Sequence, residues 1–484
     1  MLNENIIQAN DFLLQLDASE IAQLIKDKRI TSYDVTKTFI NHIQKVNEAL
    51  NAVVEDRFEQ ALEEASEFDK NIDQANFSKQ PFYGVPISVK ESIHVNGMKT
   101  TAGIYHRKDI YKNKDALVVE QLKQAGAIVL CKTNTPPLCF CHETENKLYG
   151  RTNNGWHQER TAGGSSGGEA ALISVGGVPF GLSSDIGGSI RFPSHFNGTV
   201  GFKPGRFQVD TTGHVPADKI PLKARMSSIG PIAKSVRDIE KIYPLISKIK
   251  PRRTVFKRLK VEVLPSDNGY PLSAETSHLI EKVFLLLNEE YATSYSIPPY
   301  FSESAQLWQE IMAIDGGEEI KRLAYNTDRI NLWKDFTKEK LTGKTNTHPY
   351  LSWALIGANM FKPSAKRIKE IEETIDEGDR VLDSYLEDRL LVFPVYYRGA
   401  LKHGELYKEI FSIQKTYLKY MPYVSYANVW GLPALTVPIG FDDNQMPIAI
   451  QIMSKIGNED KIFRLGKVLE SHFGGYVRSH YYDQ

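Results

Sequence analysis

Cysteine and net charge are what this 484-residue sequence has least of. Its three cysteines, Cys131, Cys139 and Cys141, are odd in number and bunched, which argues against a disulfide framework and for a reducing compartment. Lysine plus arginine and aspartate plus glutamate number 59 each, so no overall field attracts nucleic acid or an anionic membrane. The composition therefore predicts a cytoplasmic protein with no nucleic-acid partner.

A metal site has little support in the sequence. The run Cys139–His142 places two thiols and an imidazole together, and Cys131 precedes it. Structural zinc sites space paired thiolates by two to four residues and need a second ligand pair, which the sequence does not offer. We predict no metal and interpret the cysteines as small buried apolar residues.

Long uninterrupted hydrophobic runs are missing as well. The first thirty residues contain Asn, Asp, Glu and Lys throughout and lack the apolar core and cleavage site of a signal peptide. Residues 170–184 are free of charge but too short to span a bilayer, and residues 420–441 are interrupted by three prolines. We predict no transmembrane segment and interpret both stretches as buried core.

The remaining pattern is that of a globular α/β protein, with 41% hydrophobic and 24% charged residues. Gly84–Lys90 is typical of a buried strand, Asp115 of the N-cap of a helix that runs to Gln124, and Ala127–Leu130 of the next strand. A second alternation and a hairpin follow: strand 260–263, helix 273–289, and strands 434–438 and 447–452. This order predicts a single large α/β/α body with a mixed central sheet flanked by helices.

Differences in composition divide that body into four parts. These are N-terminal helices at 1–75, a catalytic core at 76–300, a helix-rich insertion or cap at about 301–425, and a C-terminal return to the sheet at 426–484. The insertion is rich in aromatic residues, and its most apolar piece is Pro349–Ile356. We expect this piece to pack on the core; alternatively, it lines an entrance for an acyl chain or touches a membrane surface.

Two glycine-rich runs carry the chemistry: Gly163–Gly168 (GGSSGG) and Asp185–Ser189 (DIGGS). Glycines around a serine pair allow tight backbone geometry and remove side chains that would block a small polar group. The second run can leave several backbone N–H groups converging on one point beside a serine hydroxyl. A nucleophile beside a preorganised oxyanion hole is what acyl transfer requires.

Three other interpretations of these runs stay open on the local pattern. A phosphate-binding loop would lack its terminal Lys-Ser/Thr, and the glycines could form turns without any chemistry. The run Gly164–Gly168 formally fits the Gly-x-Ser-x-Gly elbow of α/β-hydrolases. This third interpretation makes Ser166 the nucleophile and needs a later histidine, for which His195, His214 and His403 are candidates.

Taken together, the motifs resemble the amidase signature family. Ser189 follows Ser165 by 24 residues, and Lys90 ends the run Gly-Val-Pro-Ile-Ser-Val-Lys where that family keeps its lysine. Further matches occur in the same order over most of the chain. They are Lys132–Asn134, Tyr149–Asn153, Gly201–Pro204, Gly230–Ala233 and Gly431–Pro433.

The resemblance implies a Ser–Ser–Lys triad, with Ser189 as nucleophile, Ser165 as bridging serine and Lys90 as base. It also implies that the reaction needs no cofactor and that the peptide between Gly164 and the bridging serine is cis. The oxyanion hole of the family is formed by backbone N–H groups, which here are those of Ile186, Gly187, Gly188 and Ser189.

A lysine acts as a base only when it is uncharged. An ordinary lysine titrates at about 10.4, and lowering its pKa to about 7 takes about 4 kcal/mol, which burial beneath a sheet can supply. Neutral Lys90 would then accept the proton of Ser165 while Ser165 accepts that of Ser189. Lys132 is a rival base because it also follows a predicted strand, but we expect it to be structural.

Within the family, the chain is most similar to the fatty-acid amide hydrolase branch, notably at Glu169, Glu145–Asn153 and Phe473–Tyr476. This similarity puts Cys139 and Phe140 in the pocket and implies a small-molecule amide substrate with a long apolar acyl group. Alternatives are a general amidase of aryl or short aliphatic amides, the glutaminase subunit of a tRNA-dependent amidotransferase, and an inactive scaffold. A homodimer and peripheral membrane contact stay open.

Overall fold

The computed structural model describes residues 11–249, 259–327, 329–410 and 414–483. Residues 1–10 of the predicted N-terminal helices therefore lie outside the described residues. The strands are β1 (Val53–Asp56), β2 (Val85–Lys90), β3 (Ala127–Thr133), β4 (Glu145–Asn146), β5 (Gly150–Arg151), β6 (Phe180–Asp185), β7 (Val200–Lys203), β8 (Ser228–Ala233), β9 (Lys260–Val263), β10 (Ala292–Tyr295), β11 (Arg389–Pro394), β12 (Ala434–Phe441) and β13 (Pro447–Met453).

Apart from the small β4–β5 hairpin, these strands form one 11-stranded sheet in the order β1-β3-β2-β6-β8-β7-β12-β13-β11-β9-β10. Strand β2 pairs in parallel with β3 and β6, and β9 pairs in parallel with β10 and β11. All other neighbours in the sheet are antiparallel. This mixed pairing confirms the predicted fold class.

Helices cover both faces of the sheet. They are α1 (Ala18–Lys26), α2 (Ser32–Leu50), α3 (Phe58–Lys70), α4 (Leu117–Gln124), α5 (Gly167–Ser174), α6 (Arg191–Asn197), α7 (Pro221–Ala224), α8 (Val236–Ile246), α9 (Ala274–Glu290), α10 (Ser304–Met312), α11 (Glu318–Tyr325), α12 (Leu332–Thr342), α13 (Pro349–Met360), α14 (Ala365–Tyr385), α15 (Glu405–Ile410), α16 (Gln414–Tyr420), α17 (Pro422–Val429) and α18 (Glu459–Phe473).

Strand β11 shows the two faces directly. Leu390 and Val392 belong to one apolar cluster, whereas Leu391 and Phe393 belong to a second cluster. Successive side chains of a strand point to opposite faces, so each cluster is the core on one side of the sheet. The first cluster holds residues of α1, α2, α8 and α18, and the second holds residues of α10, α14 and α17.

Element boundaries follow the predictions with three main differences. Strand β12 runs to Phe441, three residues beyond its predicted end at residue 438. Ala116, not Asp115, is the N-cap of α4, because the Asp115 carboxylate accepts hydrogen bonds from the Asn96 N–H (2.7 Å) and from Lys123 (2.8 Å). Strand β3 continues past the apolar run to Thr133, and its polar end is buried. The length of a hydrophobic run therefore underestimates the length of a strand whose last residues are polar and buried.

The predicted insertion at 301–425 contributes to both the helical layer and the sheet. Strand β11 lies between β13 and β9. In α13, Leu351 and Leu355 pack with Leu138 in a third apolar cluster, as expected for a helix that packs on the core. Across the described ranges, each helix is either too short or too polar to cross a membrane.

Candidate active site

A small cavity lies where the neighbouring parallel strands β2 and β6 end, at Lys90 and Asp185. In open α/β sheets, ligands bind beyond the carboxyl ends of the strands. The cavity measures about 40 Å³, and Ser165 and Ser189 both line it. Cys139 and Phe140 line it too, so the four residues that the sequence suggested for the pocket and the serine pair meet at one place.

Lys90 lies directly behind this cavity and is completely buried. Its Nζ is 2.6 Å from Oγ of Ser165 and 3.0 Å from Oγ of Ser184. Burial lowers the pKa of Lys90 below its ordinary value, and the opposing effects of Cys139 and Asp185 are smaller. Burial thus makes the amine easier to deprotonate at a position where a serine hydroxyl lies within hydrogen-bond distance of it.

The glycines of the first run allow the close approach of the serines to Lys90. A Cβ on Gly164 would lie 2.7 Å from the carbonyl oxygen of Cys141, and one on Gly168 would lie 2.5 Å from the backbone nitrogen of Asn134. No larger residue fits at either position without backbone movement. The peptide between Gly164 and Ser165 is cis, as the resemblance implied.

The second run is held by a buried ion pair. Arg191 and Asp185 lie 3.1 Å apart with both side chains inaccessible to solvent, and Arg191 also donates to Asn428 and Gln451. Burial alone would raise the pKa of Asp185, but the Arg191 guanidinium holds it well below its usual range. A charged carboxylate therefore anchors the loop at all ordinary pH values.

This carboxylate changes the predicted oxyanion hole. The N–H of Gly188 donates to Asp185 at 2.8 Å, so it is already bound inside the loop and is not directed at the cavity. The N–H groups of Ile186, Gly187 and Ser189 have no acceptor among the described residues. Gly188 thus differs from the prediction, and three donors remain available to an oxyanion.

Two side chains fix the carbonyl groups of the same loop. Trp308 Nε1 donates to the carbonyl oxygen of Ile186 at 2.7 Å, and His142 Nε2 donates to that of Gly187 at 2.8 Å. Burial lowers the pKa of His142 to about 4, so this imidazole is neutral. The carbonyl of one residue and the N–H of the next point in opposite directions across their shared peptide. The Trp308 contact therefore orients the N–H of Gly187, and the His142 contact orients the N–H of Gly188 that Asp185 binds.

The α/β-hydrolase interpretation fails on geometry. Ser166 does not line the cavity; its hydroxyl donates to the carbonyl oxygen of Ser184 at 3.4 Å. His195 is buried between backbone groups of Arg398 and Ala449, and His403 donates to a backbone carbonyl. A Ser166 nucleophile would have no substrate within reach.

Lys132, the rival base, is occupied elsewhere. Its Nζ donates to the carbonyl oxygen of Lys99 at 2.5 Å and to the Thr100 hydroxyl at 3.1 Å. It does not line the cavity. Lys132 is therefore a structural residue of the β3 end, in agreement with the expectation.

Sequence reasoning missed two polar residues of the site, Ser184 and His214. Ser184 is the next-to-last residue of the buried strand β6 and immediately precedes the Asp185 run, which is a signal that could have marked it. The sequence suggested His214 only as a partner of Ser166, and no local pattern ties it to Lys90. Both line the cavity with Ser165 and Ser189.

A second cavity, which we name the apolar cavity, adjoins the first. It measures about 300 Å³, and Phe140 and Met312 line both cavities. Trp308 and helix α13 form much of its wall, with Trp353, Gly357 and Met360 on the face of α13 opposite the buried Leu351. One helix thus packs on the core with one face and borders an apolar space with the other.

Comparison with known proteins identifies the family. The amidase family model matches residues 34–463. Human fatty-acid amide hydrolase 2 is 31% identical over 96% of this chain and 90% of its own, and a glutamyl-tRNA(Gln) amidotransferase chain from Geobacillus thermodenitrificans is 27% identical over 93% and 96%. A solved fatty acid amide hydrolase superposes with a TM-score of 0.80 over 97% of this chain and 86% of its own at 20% identity, which supports the fold. The chain belongs to the amidase signature family and is an amide hydrolase.

Proposed function

We propose that the protein cleaves N-acyl amides with Ser189 as nucleophile, Ser165 as bridging serine and Lys90 as base. The observation that carries this proposal is the 2.6 Å separation of Lys90 Nζ and Ser165 Oγ at the closed end of the cavity that Ser189 lines. A buried amine with a lowered pKa beside a serine hydroxyl has the properties of a general base.

The proposed reaction uses Lys90, Ser165 and Ser189 in turn. Neutral Lys90 accepts the proton of Ser165, which accepts the proton of Ser189 as its oxygen attacks the amide carbon. The oxyanion accepts hydrogen bonds from the N–H groups of Ile186, Gly187 and Ser189. The protonated relay then returns a proton to the departing nitrogen, and a water activated by the same relay cleaves the acyl ester and releases the acid.

The acyl group is proposed to be a long apolar chain. The apolar cavity adjoins the small cavity lined by Ser165 and Ser189, which we name the reaction cavity, and Phe140 and Met312 line both. The volume of the apolar cavity, about 300 Å³, suits an alkyl chain and exceeds what an acetyl group needs. The similarity to a relative named fatty-acid amide hydrolase 2 agrees with this. A general amidase of aryl or short aliphatic amides is the alternative.

The amine part of the substrate meets more polar surroundings. Asp218 and Glu319 line the reaction cavity, and Lys223, which also lines it, is paired with Asp315 at 2.7 Å. A leaving group that is ammonia or a small polar amine is compatible with this end. We therefore propose simple long-chain amides as substrates, which yield a carboxylic acid and ammonia or amine.

A labelling experiment tests the nucleophile. The purified protein is treated with a fluorophosphonate probe, and the labelled peptide is identified by mass spectrometry. We expect labelling at Ser189, loss of labelling in Ser189→Ala, and full labelling in the matched control Ser166→Ala, whose hydroxyl lies outside the cavity. Labelling at Ser166, or none in the folded protein, would overturn the assignment.

A substrate panel tests the acyl group. Hydrolysis of oleamide, benzamide and glutamine is compared by kcat/KM with the wild-type protein. We expect oleamide to be preferred because its chain fills the apolar cavity. A preference for benzamide would favour the general amidase, and activity on glutamine alone would favour the glutaminase of an amidotransferase.

A further inference from the structure

His214 is connected to Lys90 through one hydroxyl, that of Ser184. Its Nε2 is 2.9 Å from Oγ of Ser184, and that oxygen is 3.0 Å from Lys90 Nζ. On its other side, His214 Nδ1 is 2.9 Å from the carbonyl oxygen of Pro216. The chain of hydrogen bonds thus runs from a backbone carbonyl to the proposed base.

The carbonyl at one end sets the direction of every hydrogen bond in this chain. A carbonyl oxygen only accepts, so the proton of a neutral His214 is on Nδ1 and its Nε2 is an acceptor. The Ser184 hydroxyl then donates to Nε2, and its oxygen is left to accept from an N–H of Lys90. Consequently the lone pair of neutral Lys90 is not used by Ser184.

We propose that His214 is a positioning residue that, through Ser184, directs the lone pair of Lys90 towards Ser165. This inference rests on the proposed function of Lys90 and adds a residue to it. Without an acceptor at His214, the Ser184 hydroxyl is free to donate to Lys90, which occupies the lone pair that Ser165 needs.

Other groups also face His214, and the nearest hydroxyl among them, that of Ser92, does not reverse this direction. The Ser92 hydroxyl lies 3.2 Å from Nε2, and as a donor it competes with Ser184 for the same lone pair without making Nε2 a donor. The titratable groups that interact with His214 from neighbouring segments are His94, Asp218 and Cys139, and Cys139 is also a hydrogen-bond partner of both His214 and Lys90. A proton gained by His214 itself would turn Nε2 into a donor and reverse the chain.

Two variants remove the proposed direction in different ways. His214→Leu removes the acceptor, and Ser184→Ala removes the connecting hydroxyl. We expect kcat for oleamide to fall about 10- to 100-fold in each, the size of effect caused by misplacing a catalytic group, with KM changed less than about twofold. His403→Leu, a histidine bonded to a backbone carbonyl away from the cavity, is the control and should match the wild type.

The pH profile separates positioning from a structural role. In His214→Leu, the Ser184 hydroxyl donates a hydrogen bond to Lys90 and so stabilises the uncharged amine. The rise of kcat/KM with pH should therefore occur at lower pH than in the wild type, and the maximum value of kcat/KM should be smaller. His214→Gln offers an amide oxygen as a permanent acceptor. It should restore the pH at which kcat/KM rises and most of the maximum value of kcat/KM. A structural defect would lower only the maximum value of kcat/KM and leave the pH of its rise unchanged.

The two proposals can fail separately. Fluorophosphonate labelling that is absent from all variants and the wild type would overturn the catalytic assignment itself. Normal labelling of Ser189 together with unchanged kcat and an unchanged pH of the rise of kcat/KM in His214→Leu and Ser184→Ala would overturn only the role of His214. Melting temperatures measured on the same samples verify that each variant is folded.

Discussion

The reaction cavity and the apolar cavity differ in the contacts that hold the residues of their walls. Around the first, side chains are held by hydrogen bonds in fixed directions: Lys90 by two hydroxyls and Asp185 by Arg191 and backbone N–H groups. Around the second, the walls are apolar, and some residues at its edge are exposed, including Met360 at 65% and Phe361 at 45%.

This difference agrees with the roles that we propose for the two regions. Proton transfer and oxyanion binding need atoms placed to within fractions of an ångström. Holding an alkyl chain needs only apolar area, which is gained without directional contacts. Substitutions near Lys90 should therefore change rate or stability for all substrates, whereas substitutions in α13 should change the choice of acyl chain.

The largest effect is expected for Lys90→Met. Removing the proposed base should lower kcat/KM by about 10²- to 10⁴-fold, while the free energy of unfolding stays equal or rises, because a buried amine is replaced by an apolar chain of similar length. The assay is oleamide hydrolysis together with urea unfolding.

The pH profile of the wild type sharpens this prediction. Only uncharged Lys90 is a base, so the rate should rise with pH as the amine loses its proton. Because burial lowers the pKa of Lys90, that rise should occur below the ordinary lysine value of about 10.4. A wild-type-like rise in Lys90→Met would show that another group is titrating.

Arg191→Met should have the largest effect on stability. It leaves the Asp185 carboxylate buried without its cation, which typically costs about 3–5 kcal/mol. The matched control is Lys467→Met, which breaks a half-exposed pair with Glu240 (2.9 Å) and should cost at most about 1 kcal/mol. Equal losses in urea unfolding would contradict the contrast between buried and exposed pairs.

Gly187→Ala tests the oxyanion hole that we propose in the run Asp185–Ser189. The added Cβ would lie 2.6 Å from the ring of Trp308, so the loop has to move and its N–H groups with it. A loss of about 10²- to 10³-fold in kcat is expected, similar to removing one oxyanion donor. Gly357→Ala, where a Cβ meets nothing within 4 Å, is the control and should retain activity.

The smallest and most selective effect is expected for Gly357→Leu. Its side chain enters the apolar cavity without a backbone clash, so oleamide hydrolysis should fall about tenfold, about 1.4 kcal/mol, while acetamide hydrolysis is unchanged. Equal losses for both substrates, measured by kcat/KM, would mean that α13 does not select the acyl chain.

Much of the fold could be predicted because local sequence carries the information, whereas the serine–lysine site was predicted from the resemblance to the amidase signature family. The Gly84–Lys90 and Lys260–Val263 strands and the C-terminal hairpin were visible as short apolar runs with turn residues beside them. At the start of α1, Asp17 with Glu20 forms a capping box, a contact between residues only three positions apart. The part that could not be predicted involves residues far apart in sequence, such as the His214 contact with Ser184.

By itself, the sequence determined the sheet-and-helix alternation and the two glycine-rich runs, since apolar runs and glycine placement are local properties. Its motifs also determined the family, and the resemblance to that family implied that Lys90, Ser165 and Ser189 act together. Only the tertiary structure decided which N–H groups of the loop are unbound, because Asp185 takes that of Gly188. It also decided that α13 borders an apolar space and that His214 is connected to Lys90 through the Ser184 hydroxyl. Such contacts depend on how distant segments pack, and no local pattern records the packing.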